Sequence, residues 1–242
     1  MNRPMMHVVD PQTGESDPAE IRRVFDSQSA TALAWRESTI AERIARLKKL
    51  REAMLARRED FYAAFHKDYN KPSSEVEGTE FMPVLDEIRH TIGSLKKWAQ
   101  PRRVRPTTTT LDTKAWVEYQ PRGRVLIIAP WNFPLNLCFG PLVSALAAGN
   151  TVILKASEQC PGTHRLIAQC LVEAGLPTGA ISVITNAPED AGKIVEALIT
   201  NPAVKRVNFT GSTKVGKIIG ELCGRNLKPA LLELGGKAPL VI

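Results

Sequence analysis

The chain has 242 residues, of which 43% are hydrophobic, and a formal net charge of +7. That length allows one large domain or two small ones with a sizeable core, and no apolar run approaches the length needed to span a membrane. The basic residues are scattered, and aromatic residues do not interleave with the densest run (Lys48, Lys49, Arg51, Arg57 and Arg58), which argues against a nucleic-acid surface and for a mildly basic one suited to an anionic cofactor.

The polar stretch from Met1 to Ser16 lacks the apolar core of a secretion signal, so no leader is expected. Cys138, Cys160, Cys170 and Cys223 show no C-x-x-C spacing and are expected to be reduced thiols of a cytoplasmic protein. His7, His66, His90 and His164 lie far apart and lack metal-ligand spacing, so no metal site is expected.

The first third reads as helical. Ile40, Ile44, Leu47, Met54 and Leu55 recur near helical spacing, which suits a helix packing one apolar stripe on the domain. A basic membrane-surface helix is the other reading, weakened by the interspersed Glu42, Glu52 and Glu59. A further helix is expected to end over 93–100, and Pro101-Arg-Arg-Val-Arg-Pro106 to break regular structure. Thr107 to Gln120, rich in Thr, Val, Trp and Tyr, suits extended chain.

From Gly123 onward strand and helix alternate. The spacing predicts strands at 125–129, 151–154, 181–185, 204–209 and 230–234, and helices at 135–148, 163–174, 190–199 and 212–227. The first strand is an unbroken apolar run, as expected when both faces are covered. Five strands with four intervening helices imply an α/β fold: a doubly wound parallel sheet, Rossmann-like, preceded by helices and a β segment.

Ligands of such sheets bind beyond the carboxyl ends of the strands, and four segments fall there. Pro130-Trp131-Asn132-Phe133-Pro134 follows the first strand, where Asn132 can donate N–H bonds to a ligand or cap the next helix. Lys155, Ser157 and Glu158 follow the second; Glu158 can accept from ribose hydroxyls, or Lys155 and Glu158 form an exposed pair of little energetic consequence. Gly211-Ser-Thr-Lys-Val-Gly216-Lys217 nearly spells the phosphate loop of nucleotide hydrolases, but Ile218 stands where a magnesium-ligating hydroxyl is required. Free N–H groups at that helix start attract phosphate; alternatively Ser212 is only an N-cap. Glu233 follows the fifth strand beside Gly235 and Gly236, as a ligand-facing carboxylate or a surface residue in a turn.

Together, Pro130–Pro134, Leu154-Lys-Ala-Ser-Glu158, Phe209–Gly216 and Leu232-Glu-Leu-Gly-Gly-Lys237 resemble the aldehyde dehydrogenase superfamily. The likeness is to its class 3 and coniferyl members up to about residue 150, and to salicylaldehyde and vanillin dehydrogenases beyond it. The resemblance implies an N-terminal helical part of a cofactor domain over 1–106, a bridging, oligomer-forming β segment over 107–122 and an NAD(P)-binding region over 123–242. It assigns Asn132 as oxyanion donor and Glu233 as general base. It assigns the cofactor, NAD or NADP, to Pro130, Trp131, Lys155, Ser157, Glu158, Gly211, Ser212, Thr213, Val215, Gly216, Leu234 and Gly235. The implied reaction oxidises an aromatic or medium-chain aldehyde through a cysteine thioester, in a homo-oligomer, dimer or tetramer. The family's nucleophile follows the Glu-Leu-Gly-Gly segment. The resemblance therefore implies that the nucleophile and the catalytic domain are missing from these residues and that the chain alone is inactive. A stand-alone, non-catalytic dinucleotide-binding or assembly module is the alternative.

Overall fold

The structure, a computed structural model, describes residues 18–177 and 179–240. The polar stretch ahead of Asp17 and His7 lie outside the described residues.

Five helices precede the sheet: α1 (Pro18–Arg36), α2 (Ile40–Ala56), α3 (Arg58–Tyr69), the short α4 (Ser73–Val76) and α5 (Met82–Trp98), the last two joined by a π-helical turn, Glu77–Phe81. α2 starts with a reciprocal cap: the Glu42 backbone N–H donates to Thr39 Oγ1, and the Thr39 N–H donates to the Glu42 carboxylate. Its buried stripe is Leu47, Leu50, Ala53 and Met54. Leu55, expected on that stripe, faces outward, because it is displaced by one residue from Met54 and so by about 100° around the helix. Ile40 and Ile44 pack against the same core, so the stripe is spent on packing rather than on a membrane surface.

The segment after α5 differs from its expectation. Arg102–Val104, where the flanking prolines predict a break, forms strand β1, which pairs antiparallel with β2 (Ala115–Val117). Thr108–Thr110, expected as extended chain, is a 3-10 turn closed by Thr107 and Thr110 hydroxyls. Every residue of both strands is exposed, so the ribbon has no buried face to show as a pattern.

The main sheet is built from β3 (Arg124–Ile128), β4 (Thr151–Lys155), β5 (Ile181–Ile184), β6 (Val204–Thr210) and β7 (Ala230–Glu233), connected by α6 (Pro134–Ala147), α7 (Pro161–Glu173), α8 (Ala191–Thr200) and α9 (Thr213–Arg225). All four pairings are parallel, in the order β5-β4-β3-β6-β7. The chain winds from β3 through β4 to β5, crosses back, and continues on the other side of β3. Gly123 and Gly149, both at positive φ (114° and 81°), make the tight entries to β3 and β4.

Each face of the sheet carries its own core. Val125, Ile127, Val152 and Leu154 pack with α6 and α7, which α2, α3 and α5 cover in turn. Leu126, Ile128, Ile153, Val207 and Phe209 pack with α1, α8 and α9. The order of strands reverses between β3 and β6, whose following helices lie on opposite faces. This opens a crevice at their carboxyl ends.

Candidate functional site

The register places the ends of five strands in one row: Ile184, Lys155, Ile128, Phe209 and Leu232 are paired neighbours. Every sequence-predicted site residue lies in this row or just beyond it. Pro130, Trp131 and Asn132 follow β3. Lys155 ends β4, and Ser157 and Glu158 follow. Gly211 and Ser212 separate β6 from α9, whose first turns hold Thr213, Val215 and Gly216. Glu233 ends β7, with Leu234 and Gly235 next. Lys155 and Leu232 are three strand spacings apart, roughly 14 Å.

Strand alternation divides this edge into two sides. Lys155 shares the face of Ile128 and Phe209, toward α8 and α9, whereas Glu233 pairs with Thr210 on the opposite face, toward α6. On the α9 side, Lys155 Nζ donates to Glu158 Oε2 at 2.7 Å, with only 6% and 18% of the two side chains exposed. The pair is thus not the solvated one that sequence left open. Burial would raise the Glu158 carboxyl, but the hydrogen bond and charge of Lys155 outweigh it and hold it below the usual carboxylate range. Ser157 is buried and its hydroxyl accepts the Gln159 N–H.

Ser212 caps α9, accepting the Val215 N–H at 3.3 Å. The helix begins at Thr213, so residues 213–217 are helical rather than wrapped as a hydrolase phosphate loop; with Ile218 on an exposed turn, that reading is not supported. A side chain at Gly211 would meet the Phe209 ring, and one at Gly216 would meet Leu234. Gly216 therefore lets the loop after β7 lie against the start of α9, and Gly211 leaves room for the Phe209 ring. Glu233 is exposed, and its carbonyl accepts the Gly211 N–H at 3.0 Å.

On the α6 side, Asn132 does not cap the helix. The N-cap is Phe133, which makes no side-chain cap bond, and Pro134 occupies the first turn. The cap comes from elsewhere: Glu80, fully buried in the π-turn, accepts the Asn136 N–H at 2.9 Å. α7 starts the same way. Cys160, with φ/ψ of −135°/66° against −133°/68° for Phe133, has no side-chain cap bond and precedes Pro161. Asp68 of α3 accepts the Thr163 N–H at 2.7 Å and its hydroxyl at 2.8 Å. Burial pushes the Glu80 carboxyl above its usual range, against the pull of the Asn136 N–H and of Lys71.

The loop itself is held by its carbonyls. The Tyr69 hydroxyl donates to Trp131 O at 2.7 Å and Lys71 Nζ to Asn132 O at 2.9 Å, while Lys71 also pairs with Glu80 at 3.2 Å. Trp131 remains 48% exposed, and the Asn132 carboxamide makes no hydrogen bond to another described residue. Tyr69, Lys71, Glu80 and Asp68 were missed by sequence reasoning. The signal for them was a demand rather than a motif: two helices that begin at proline without a Ser, Thr, Asp or Asn cap need an acceptor for their free N–H groups.

All four thiols are free and buried. Burial pushes Cys160 up to about 11 and Cys170 to about 12, and raises Cys138 and Cys223 as well. A thiol so shielded is a poor source of thiolate. His164 is buried against Cys160 Sγ, 3.5 Å away, and desolvation lowers its pKa to about 4. Among the described residues no cluster of metal-ligating side chains occurs and no helix is long and apolar enough to cross a membrane.

Similarity to known proteins agrees with this layout. A vanillin dehydrogenase of Pseudomonas fluorescens is 64% identical over 123 residues, covering 51% of this chain and 26% of that protein. A phenylacetaldehyde dehydrogenase of the same organism is 36% identical across 98% of this chain and 49% of its own length. The crystal structure of a salicylaldehyde dehydrogenase from Pseudomonas putida G7 complexed with salicylaldehyde matches with a TM-score of 0.85 and 31% identity, over 91% of this chain and 45% of that one. The chain thus spans at most about half the length of these relatives. The family profile described as "Aldehyde dehydrogenase family" matches residues 3–242, and the chain belongs to that family.

Proposed function

We propose that this chain is the cofactor-binding portion of an NAD(P)+-dependent aldehyde dehydrogenase that oxidises an aromatic or medium-chain aldehyde to its carboxylic acid. The observation that carries the reading is the single row of strand ends, with an ion pair on one side and an uncommitted carboxamide and carboxylate on the other. The names of the vanillin, phenylacetaldehyde and salicylaldehyde relatives support an aromatic substrate.

The donor set suits a dinucleotide. Glu158, kept ionised by Lys155, accepts from ribose hydroxyls, and Lys155 supplies a cation beside them. The start of α9, with Gly211, Ser212 and Thr213, offers N–H groups and a positive dipole end to a pyrophosphate. Val215, Gly216, Leu234, Gly235, Pro130 and Trp131 line the path between these points and the α6 side. Bound nicotinamide supplies a hydride acceptor. Asn132 donates its side-chain N–H to the oxygen of the substrate as negative charge develops there. Glu233 takes a proton from the water that hydrolyses the thioester.

None of the four cysteines serves as nucleophile in this reading, since each is buried with a raised pKa. The attacking thiolate then comes from a residue that these 242 do not contain, and the chain alone is inactive. NADH formation from benzaldehyde by the purified chain would overturn this. The free thiols suit a cytoplasmic setting. The β1–β2 ribbon, with Val104, Trp116 and Val117 exposed, suits pairing in a homo-oligomer.

Titration with NAD+ and with NADP+, followed by tryptophan fluorescence, tests the reading. Saturable quenching through Trp131, lost in Lys155→Ala and Ser212→Asp, is expected. No response at millimolar concentrations of either dinucleotide would sink the claim of a cofactor site in this chain.

A further inference from the structure

We infer that Lys71 and Glu80 are positioning residues for Asn132: an ion pair with a fully buried carboxylate, set by the π-helical turn, that fixes the loop presenting its carboxamide. The inference rests on the reading of Asn132 as a ligand-facing donor.

Glu80 reaches this position through a turn that is itself unusual. Residues 77–81 form a π-helical turn between α4 and α5, a geometry that costs helical regularity and collects at functional sites. It buries Glu80 completely, with one carboxylate oxygen on the Asn136 N–H of α6 and the other on Lys71 Nζ. Asn136 returns the bond by donating its side-chain amide to Thr79 O at 3.1 Å, so the π-turn and the first turn of α6 are tied twice.

Lys71 is a well-anchored cation. Its Nζ lies 4.5 Å from the centroid of the Phe133 ring and 5.5 Å from those of Phe65 and Tyr69. From there it donates to the Asn132 carbonyl, while Tyr69 donates to the carbonyl one residue earlier. Two consecutive peptide planes are thereby fixed, and with them the direction of the Asn132 Cα–Cβ bond. Only the side-chain torsions of Asn132 remain free. A donor acting on developing charge must be preorganised, because a misplacement of the order of 1 Å loses most of the benefit. The loop has no regular structure and no self-made cap, so the ion pair supplies that preorganisation from outside.

The test is 15N relaxation on the 242-residue chain. In the parent protein the Trp131 and Asn132 backbone amides are expected to be rigid, with order parameters of about 0.85. Lys71→Met should drop both below about 0.6, and should speed exchange of the Asn136 amide about tenfold, which reads the same loosening at the helix start. The amides of β3 and β4 should be unchanged. Lys71→Arg, which keeps the cation and its donors, should restore the loop. Glu80→Gln, which keeps shape but not charge, should loosen it in part. An unchanged loop in Lys71→Met would overturn the proposal. So would equal loosening of β3 and β4, since Lys71 would then hold the domain together rather than the loop. A loop lost in Lys71→Met and restored in Lys71→Arg, in a chain that never responds to a dinucleotide, would uphold the positioning role and sink only the cofactor reading.

Discussion

Helices α6 and α9 both begin at the carboxyl edge of the sheet, one after β3 and the other after β6, yet they are started by different means. α9 caps itself: Ser212 precedes it and takes the Val215 N–H. α6 begins at a proline behind a phenylalanine, and its free N–H groups are met by Glu80, 56 residues earlier in the chain. α7 follows the pattern of α6, with Asp68 as the distant acceptor, 95 residues before Thr163. A self-made cap meets the first N–H groups of a helix from within its own loop. A borrowed cap couples the loop to whatever lends it. Here the lender is the N-terminal helical layer, so the conformation of the Asn132 loop is a property of two parts of the chain rather than one.

Removing the lenders and the local cap in turn should separate these cases, and urea unfolding measures the result. Glu80→Ala strips a buried partner from Lys71 and the acceptor from α6, and should cost about 4 kcal/mol. If it costs no more than a surface substitution, the borrowed cap is not coupling the layers. Next in size is the acid sensitivity of α7. His164 is buried and neutral, with its pKa lowered from 6.5 to about 4 by desolvation. As pH falls through that interval the unfolded chain binds a proton that the folded chain does not, so stability is full above pH 6.5 and declines toward pH 4, by about 3 kcal/mol in all. His164→Gln should flatten that part of the stability–pH curve; an unaltered slope would place the titrating group elsewhere.

Asp68→Ala should cost about 2 kcal/mol, since two donors of Thr163 lose their acceptor. Smaller still, Ser212→Ala should cost about 1 kcal/mol, with its effect confined to α9. Should Ser212→Ala prove as costly as Glu80→Ala, the distinction between local and borrowed caps would fail.

The same distinction explains what could be read from the sequence. The central strands β3 and β4 announce themselves because their residues are buried on both faces and so form short apolar runs, 125–129 and 151–154. Ser212 was legible because its partner is three residues away. The placement of Asn132, Lys155, Glu158 and Glu233 followed from their positions at or just beyond the carboxyl ends of strands. β1 was not legible: Arg102–Val104 pairs only with β2 and buries nothing, so neither alternation nor an apolar run marks it. Leu50 replaced Leu55 on the α2 stripe because neighbouring leucines differ in facing by a rotation that spacing alone does not anchor. Glu80 and Asp68 were illegible for a deeper reason. A charged residue destined to serve distant donors looks like any other until the fold brings those donors to it.

The π-turn has one further consequence. It carries one residue more than an α-helical path between α4 and α5 would, and each residue advances a helix by about 100°. Everything before it is therefore out of phase with everything after it. Deleting Gly78 would remove the extra residue and let the two helices run on as one continuous α-helix. The local helix would gain regularity while one side of it rotated by about a quarter turn. Val76 of α4, before the deletion, and Glu80 with the buried stripe of α5, after it, could then no longer all face inward. A shortening that perfects the helix would thus misalign two layers of the protein, which makes the irregularity a setting of phase rather than a defect.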